Sequence, residues 1–401
     1  MRRAPKSLRL HIGLFGRRNA GKSSTLNALT RQEVAIVSPT AGTTTDPVEK
    51  PMEMLPLGPV LFIDTAGIDD QGDLGAQRVA KTRRVLDRCD LAVLVAVGDS
   101  WGSFEDELLA DLEQRQVPTL VLFNKCDLTT PDQALRDRLT AAGIPWVEGA
   151  MHQRQGVDRL YAALVEITPE EFLTTPSLIG DLVPPGGLCV LVVPIDKEAP
   201  KGRLIQPQVQ TIRDLLDHEA YALVVKEREL RAALDNLKTP PALVVTDSQA
   251  FLKVAADTPD EIPMTSFSIL FARLKGDLSS FVAGAQAIDR LRAGDRVLIA
   301  ESCSHHPITE DIGRVKIPRW LEQYVGGALD IQVTQGHDFP DDLADYALVI
   351  HCGSCMHNRR SVLSRIARCQ QAGVPITNYG IAIARLLGID DRALKPFAMG
   401  L

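Results

Sequence analysis

The sequence has few aromatic residues, few cysteines and no long apolar run. Phe, Trp and Tyr make up 5% of the 401 residues, and the seven cysteines are scattered along the chain. An odd, scattered set argues against a disulfide framework, so we expect free, catalytic or metal-bound thiols in a reducing compartment. No run of about 18 apolar residues occurs, so no membrane-spanning helix and no membrane partner are predicted. We expect a cytoplasmic protein.

An excess of positive charge is also missing. Lys and Arg number 44 against 51 Asp and Glu, a net charge of −7. A dedicated nucleic-acid-binding protein usually carries a basic face, so this balance argues against nucleic acid as a main partner. The basic segment 1–9 lacks the apolar stretch of a secretory signal. Hydrophobic content is ordinary, at 45%, and a chain of this length predicts about two to four domains.

A phosphate-binding loop follows the first predicted strand. The apolar segment 10–15 leads into GRRNAGKS at 16–23, which matches G-x-x-x-x-G-K-[ST] between a strand and a helix. Gly16 and Gly21 let backbone N–H groups curl toward phosphate at a helix N-terminus. Lys22 is predicted to reach the β- and γ-phosphates, and Ser23, followed by Ser24, to ligate Mg²⁺.

Three further segments indicate that the nucleotide bound at this site is GTP. The first, a predicted strand at 60–63, ends in DTAG at 64–67, where the Asp64 carboxylate and the Gly67 amide face Mg²⁺ and the γ-phosphate. The second, the loop GTTTD at 42–46, supplies the hydroxyls of Thr43 and Thr44, with Thr44 as a second Mg²⁺ ligand.

The third segment recognises the base. The predicted strand 120–123 ends in NKCD at 124–127. The Asp127 carboxylate can accept both N–H groups of guanine, which adenine lacks, and Lys125 can lie over the base. Asn124 is predicted to belong to the same nucleotide site. A last strand near 145–148 leads into Gly149 and Ala150, whose backbone amides complete the predicted base site.

These motifs, in this order, resemble the translation-factor-like GTPases of the Era and TrmE/MnmE branch. The resemblance implies that Asn19 coordinates K⁺. Ile68 stands where Ras-like enzymes keep a water-positioning Gln, and an apolar side chain cannot orient water. A K⁺ ion would supply positive charge near the transferred phosphate. We therefore predict slow, potassium-activated GTP hydrolysis with Lys22 and Asn19 as catalytic residues.

Beyond residue 170 the pattern predicts a linker at 171–187 and two further α/β segments, 188–275 and 276–401. Strand-like and helix-like stretches alternate, which favours parallel sheets. Within the first segment, 262–274 alternates apolar and polar residues and is predicted to be a strand, with Phe267, Ile269 and Phe271 on one face. The isolated Cys89, Cys126, Cys189 and Cys369 are interpreted as small buried hydrophobes.

A set of soft-metal ligands follows two predicted strands of the last segment. Cys303 and His305 follow the strand at 296–300, and His351, Cys352 and Cys355 follow the strand at 346–350. Sites in open parallel sheets form just outside the carboxyl ends of strands, so we expect these two groups to meet. Three thiols with nearby histidines suit either tetrahedral zinc or an iron–sulfur cluster. The spacing leaves both open.

A P-loop GTPase followed by C-x-H and H-C-x-x-C resembles the [FeFe]-hydrogenase maturation GTPases, the HydF family, over the whole chain. The resemblance implies a GTPase domain at 1–170, a dimerisation domain at 188–275 and a domain at 276–401 that binds a [4Fe–4S] cluster. It also implies Cys303, Cys352 and Cys355 as cluster ligands, and it leaves open whether His305, His351 or a non-protein ligand completes the set.

The same resemblance implies a scaffold role. The protein would hold a transient di-iron precursor made by two radical-SAM enzymes and transfer it to apo-hydrogenase, working as a homodimer or higher oligomer. The competing hypothesis is a ribosome- or tRNA-associated switch GTPase with a structural zinc domain.

Overall fold

A computed structural model of the chain describes residues 5–30, 47–65, 82–173, 176–195, 202, 204–302 and 311–397. The chain divides into two compact units, Met1–Thr175 and Pro176–Leu401. Across the described ranges, no helix combines the length and the apolar character needed to cross a membrane.

The first unit is built on a six-stranded sheet with the order β2-β3-β1-β4-β5-β6. Only β2 is antiparallel to its neighbour, and the other pairs are parallel. The central strands are continuous apolar runs because helices cover both faces of the sheet. The strands are β1 Leu10–Phe15, β2 Val48–Met54, β3 Gly58–Asp64, β4 Leu91–Val97, β5 Thr119–Asn124 and β6 Trp146–Gly149.

The helices of this unit lie between the strands in the chain, as an α/β fold requires. The last long one buries Leu160 and Leu164 against the sheet, as the apolar spacing near 156–167 predicts. The labelled helices are α1 Lys22–Thr30, α2 Ser103–Gln114, α3 Gln133–Ala141, α4 Val157–Glu166 and α5 Glu170–Leu173.

The second unit contains two four-stranded sheets, both parallel throughout. Their strand orders are β10-β9-β7-β8 and β12-β11-β13-β14. The two further α/β segments predicted from the sequence are therefore confirmed. The strands are β7 Leu188–Val192, β8 Tyr221–Val225, β9 Leu243–Thr246, β10 Met264–Ser266, β11 Arg296–Ala300, β12 Asp330–Thr334, β13 Leu348–His351 and β14 Ile376–Asn378.

One apolar core runs through both sheets of this unit and the helices that pack on them. The labelled helices are α6 Gln206–Asp217, α7 Leu230–Asp235, α8 Phe251–Asp257, α9 Phe267–Lys275, α10 Leu278–Ala285, α11 Ile317–Val325, α12 Arg359–Gln371, α13 Tyr379–Leu386 and α14 Asp390–Leu394.

The predicted strand at 262–274 is wrong. Only Met264–Ser266 is strand, and Ser266 then caps α9 by accepting a hydrogen bond from the Ile269 amide. Helix α9 packs against several other helices, so its apolar residues are buried on more than one face. A helix buried nearly all round loses the 3.6-residue stripe, and its sequence can then imitate strand alternation.

The two sheets belong to an internal repeat. Counted from the first strand of each sheet, both have the order 2-1-3-4. The segments IPMTSFSILFARLKGD (262–277) and VPITNYGIAIARLLGI (374–389) align without a gap and share Pro, Thr, Ile, Ala-Arg-Leu and Gly. Each contains a three-residue strand that passes directly into a capped helix, β10 into α9 and β14 into α13. We call 188–285 the first repeat and 296–394 the second repeat.

Equivalent residues of the two repeats make equivalent contacts. Arg273 of α9 forms an ion pair with Asp181, before β7, and Arg385 of α13 forms one with Asp289, before β11. Ser268 and Gly380, which align with each other, meet directly: the Gly380 amide donates to Ser268 Oγ at 3.2 Å. Contact between a residue and its own counterpart is the pattern of a two-fold arrangement.

The repeats also exchange helices. Helix α10, which follows α9, packs on β14, and helix α14, which follows α13, packs on β10. Thr377 Oγ1 in β14 donates to the Phe281 carbonyl of α10 at 2.8 Å. Arg392 of α14 donates to the carbonyls of Ala255 and Thr258, at the end of helix α8 in the first repeat. This exchange explains why 176–401 behaves as one compact unit.

Candidate functional site

The phosphate-binding loop has a backbone that only particular residues can adopt. Gly16, Asn19 and Gly21 have φ angles of 141°, 60° and 99°. A Cβ on Gly16 would lie 2.2 Å from the Val95 carbonyl oxygen, and a Cβ on Gly21 would lie 2.0 Å from Asn124 Nδ2. Positive φ and these close approaches exclude other side chains at both glycines. Asn19 is exposed, and Asn is among the residues that tolerate this region.

Lys22 and Ser23 begin α1 at the end of this loop. Lys22 Nζ donates to the carbonyls of Gly16 and Arg17 at 2.9 and 2.8 Å, so the ammonium lies across the loop. Ser23 Oγ donates to Asp64 Oδ2 at 2.7 Å. The two side chains that the sequence assigned to Mg²⁺ therefore lie next to each other.

Asp64 carries the signature of a cation ligand. Its Oδ1 is buried and has no hydrogen-bond partner, an arrangement that usually costs free energy. Burial raises the pKa of this carboxyl group, against the opposing effects of Ser23 and Lys22. A divalent cation held between Ser23 Oγ and Asp64 would satisfy the free oxygen, so the residues fit Mg²⁺.

The base-recognition segment is joined to the phosphate loop through Asn124. Its Nδ2 donates to the Ala20 carbonyl at 2.9 Å, and its Oδ1 accepts from the Met151 amide at 3.0 Å. Lys125 follows with φ 61°. Asn124 thus holds the ends of β5 and β6 against the phosphate loop.

Asp127 lies beside the loop that follows β6. Its Oδ2 accepts from Gln153 Nε2 at 3.2 Å. Gly149 cannot carry a side chain, because a Cβ there would lie 2.3 Å from Met151 Cε and 2.8 Å from the Gln155 carbonyl. The buried Ala150 pairs with Gln155 through the backbone. The predicted base-site residues therefore converge at one edge of the sheet. Thr43, Thr44, Gly67 and Ile68 lie outside the described residues.

One contact of the phosphate loop is not evident from the motifs. Arg17 forms two parallel hydrogen bonds with the buried Glu105 of α2, Nε to Oε1 at 2.7 Å and Nη2 to Oε2 at 2.9 Å. Its guanidinium also lies over the Phe104 ring, at 5.2 Å from the centroid. A bidentate pair of this kind fixes geometry as well as adding energy, so it anchors the loop to α2.

In the second unit, the Cys-x-x-Cys segment leaves the carboxyl end of β13. Parallel pairing aligns Ala300 of β11 with His351 of β13, and the Cys352 amide donates to the Ala300 carbonyl at 3.0 Å. This point lies between the first and third strands of the sheet, where the strand order reverses and open sheets form their sites.

The Cys352 thiol is held by the end of β11. The Ser302 amide lies 3.1 Å from Cys352 Sγ, and Ser302 Oγ lies 3.0 Å from the same sulfur. Cys303, the next residue after Ser302 in the sequence, and His305 lie outside the described residues.

Both ring nitrogens of His351 have hydrogen-bond partners in this structure. Its Nδ1 lies 2.9 Å from the Cys352 carbonyl and 3.0 Å from Ser354 Oγ, and Arg365 Nη1 donates to its Nε2 at 2.8 Å. Both ring nitrogens are therefore occupied, and a metal could replace Arg365 only by breaking that bond. Burial, then the charge of Arg365, lowers the pKa of His351 to about 3, so the ring is neutral.

Two buried basic side chains surround the loop, and the sequence did not identify either. Lys275 Nζ donates to the carbonyls of Ser354 and His357. Both ring nitrogens of His357 lack a hydrogen-bond partner, and the ring stacks on His337 with centroids 4.9 Å apart. Burial raises the pKa of Cys355 to about 11, so this thiol needs a metal or a cation to ionise at neutral pH.

Within the described ranges, no group of three His, Cys, Asp or Glu side chains is arranged to hold a metal ion. Cys352 and Cys355 are separated by two residues at a strand end, and both are partly accessible. This pair, with its donors and its buried cation, fits a thiolate-bound centre that takes further ligands from elsewhere. Of the isolated cysteines, Cys89, Cys189 and Cys369 are buried as interpreted. Cys126 is half-exposed, so its interpretation as a small buried hydrophobe is wrong.

Three family matches together cover most of the chain. Residues 178–276 match the hydrogen maturase F dimerization domain, and residues 279–396 match the hydrogen maturase F tetramerization domain. Residues 11–125 match the family described as 50S ribosome-binding GTPase. The first unit is a P-loop GTPase domain. The dimerization and tetramerization domains support homo-oligomerisation.

Individual relatives match a smaller part of this chain than the family matches do together. The tRNA modification GTPase MnmE of Syntrophotalea carbinolica is 36% identical over 159 residues, 39% of this chain and 33% of that protein. GTPase Der of Sulfurimonas denitrificans is 31% identical over 171 residues, 39% of this chain and 34% of that protein. The chain thus spans about a third of the length of these curated relatives.

Among solved structures, a point variant of Aquifex aeolicus Era bound to GDP·AlF4⁻ matches with 18% identity and a TM-score of 0.36. The match covers 54% of this chain and 93% of that one.

Proposed function

The chain belongs to the hydrogen maturase F family, and from this we propose that it is a GTP-hydrolysing scaffold for maturation of the [FeFe]-hydrogenase active-site cluster. The GTPase unit would hydrolyse GTP slowly to GDP and phosphate. The second unit would bind a [4Fe–4S] cluster and carry a transient di-iron precursor. The partners would be apo-hydrogenase and two radical-SAM enzymes.

The nucleotide chemistry rests on the phosphate loop. Lys22 would leave the Gly16 and Arg17 carbonyls for the β- and γ-phosphates, since a bound polyphosphate offers a stronger acceptor. Ser23, Asp64 and Thr44 would hold Mg²⁺, and the unpartnered Asp64 oxygen supports that role. Asn19, exposed on the loop, would hold K⁺.

The single observation that carries the cluster assignment is the Ser302–Cys352 contact. It brings the residue before Cys303 to a hydrogen-bonding distance from the Cys352 sulfur. Cys303, Cys352 and Cys355 would then be the thiolate ligands. His351 would orient the loop through Arg365 and Ser354, and His305 stays a candidate for the fourth position. An iron–sulfur cluster at this site would supply electron transfer and an attachment point for the di-iron unit.

Anaerobic purification followed by iron, sulfide and zinc analysis tests this function. Wild type should carry about four irons per chain, the stoichiometry of a [4Fe–4S] cluster. Cys352→Ser should lose the iron and keep GTP turnover near wild type, because the two sites lie in separate units. Cys369→Ala is the matched control, since that thiol is buried in α12 and away from the loop; it should keep its iron. A colourless protein with one zinc and no iron would favour the ribosome- or tRNA-associated switch GTPase instead.

We propose that β8 is the surface through which two copies associate. It is an edge strand, and its Tyr221 and Val224 are 63% and 42% exposed. Its counterpart in the second repeat, β12, is also an edge strand but exposes the polar Asp330 and Gln332. An exposed apolar edge is a template for pairing with another chain, whereas charged and polar edges block it.

Size-exclusion chromatography with light scattering tests the surface. Tyr221→Lys combined with Val224→Lys should lower the oligomeric state of the full chain. Gln332→Lys in β12 is the control and should leave it unchanged. Retention of the wild-type mass by the β8 variant would reject this surface.

A further inference from the structure

The two repeats differ in charge at a position next to the cysteine loop, which is buried in the first repeat and half-buried in the second. In the aligned segments, Lys275 at the end of α9 stands opposite Leu387 after α13. The preceding three residues, Ala-Arg-Leu, are identical in both repeats. The scaffold therefore accommodates a leucine at this position in one repeat and has a lysine in the other.

Lys275 reaches the loop that carries the cysteines. Its Nζ donates to the Ser354 carbonyl and to the His357 carbonyl, both at 2.8 Å. One of these carbonyls lies between Cys352 and Cys355, and the other lies just beyond them. Arg359, in the first turn of α12, also links the two segments by donating to the carbonyls of Leu274 and Gly276. The end of α9 and the cysteine loop are thus joined by hydrogen bonds donated from each segment to the other.

The charge of Lys275 has little other compensation. The residue is 2% exposed, and no carboxylate of the described ranges lies within ion-pair distance of its Nζ. The Phe271 ring, 5.3 Å from Nζ, gives a partial contact. Burying an ammonium is costly in free energy unless other groups offset the lost hydration. A leucine, as at the equivalent position, would avoid that cost.

Among the residues that the structure describes, the thiols of Cys352 and Cys355 are the groups that can supply negative charge to Lys275. Burial lowers the pKa of Lys275 to about 8, and Cys355 and Cys352 oppose this shift. Thiols contribute negative charge only when they are ionised, and binding to a metal centre ionises them. The cation and the bound thiolates would therefore stabilise each other.

We propose that Lys275 is a positioning residue of the cluster site, which holds the loop through two carbonyls and places a buried positive charge beside the thiolates. This inference rests on the proposed cluster function. Its consequence is electrochemical. Reduction adds a negative charge, so a nearby buried cation favours the reduced state and raises the reduction potential.

An EPR-monitored redox titration of the reconstituted full chain tests the proposal. Lys275→Met and Lys275→Leu should shift the one-electron reduction equilibrium about tenfold toward the oxidised state, which lowers the midpoint potential by about 59 mV. Lys275→Arg keeps the charge and should stay within about threefold of wild type. Leu387→Met, the matched control in the other repeat, should not move the potential.

The outcomes distinguish a failure of the proposed cluster function from a failure of the role of Lys275. If wild type loads no cluster, the proposed function fails. If wild type loads a cluster and both neutral variants load it with an unchanged potential, the role of Lys275 fails. Loss of the second unit's thermal transition in both neutral variants would make Lys275 a structural residue and would also overturn the proposal.

Discussion

Replacing Gly284 by alanine tests the helix exchange between the two repeats. Gly284 lies in α10, where that helix crosses β14, and it is buried. A Cβ added there would lie 1.9 Å from the Ile376 carbonyl oxygen and 2.5 Å from the Ile376 carbonyl carbon. Both atoms belong to the backbone of a strand in the sheet, so they cannot move aside as a flexible side chain can.

Helix propensity and overpacking have opposite effects on the stability of the Gly284→Ala variant. Alanine is a better helix former than glycine by up to about 1 kcal/mol, so propensity alone would stabilise the variant. Overpacking against a fixed backbone costs about 1–3 kcal/mol. With an approach this close we expect the clash to dominate, with a net loss of about 1–2 kcal/mol. For a unit of this size that corresponds to a melting temperature lower by about 2–8 °C.

Differential scanning calorimetry of the full chain measures this loss. Adding GDP with Mg²⁺ should raise only the transition of the first unit, which identifies the other transition as the second unit's. Ala283→Gly, at the exposed neighbouring position of α10, reports the propensity term alone. A second-unit transition that rises in Gly284→Ala would show that α10 does not lie against β14 and would refute the exchange.

Three further predictions concern the first unit. Burial holds the pKa of His11 at about 4, below its usual 6.5, so the folded unit binds fewer protons than the unfolded chain between these pH values. Stability should fall as pH falls through this window, by up to about 1.4 kcal/mol per pH unit. His11→Phe should flatten that slope in urea titrations, and an unchanged slope would contradict the assignment. GTP turnover should be faster in K⁺ than in Na⁺, and Asn19→Ala should abolish the difference; equal rates in the two salts for wild type would reject a potassium site. Asn124→Ala leaves the Ala20 carbonyl and the Met151 amide unpaired, so GDP affinity measured by calorimetry should fall at least about tenfold, and unaltered binding would argue against that link.

Much of the fold was predictable because its signals are local. A continuous apolar strand that ends in a phosphate-loop motif needs no long-range information, and Gly16 and Gly21 have the backbone conformations that the motif implies. The strand at 296–300 was predicted to the residue. Helix α9 was missed because burial on several faces removed the periodicity from which a helix is recognised.

The candidate sites also contain some residues that the sequence identifies and others that only the fold reveals. Ser23 and Asp64 were both assigned to Mg²⁺, and they lie within hydrogen-bonding distance of each other because each occupies a fixed place in a known local pattern. Ser302, Lys275 and Arg365 carry no sequence signal, because a serine after a strand or a basic residue in a helix is usually solvated. Their partners are 50, 79 and 14 residues away along the chain. Only the folded chain brings them together.

The sequence by itself carried the signals for the chemistry: a phosphate-loop motif, a carboxylate predicted to recognise guanine and a set of thiols predicted to follow strand ends. These depend on residue type and short spacing, which the chain carries in linear form. The tertiary structure decided which groups share an environment. It paired two similar repeats, exchanged α10 and α14 between them, and buried Lys275 against the loop that carries Cys352 and Cys355. Burial and proximity are properties of packing, and packing is settled only when distant segments meet.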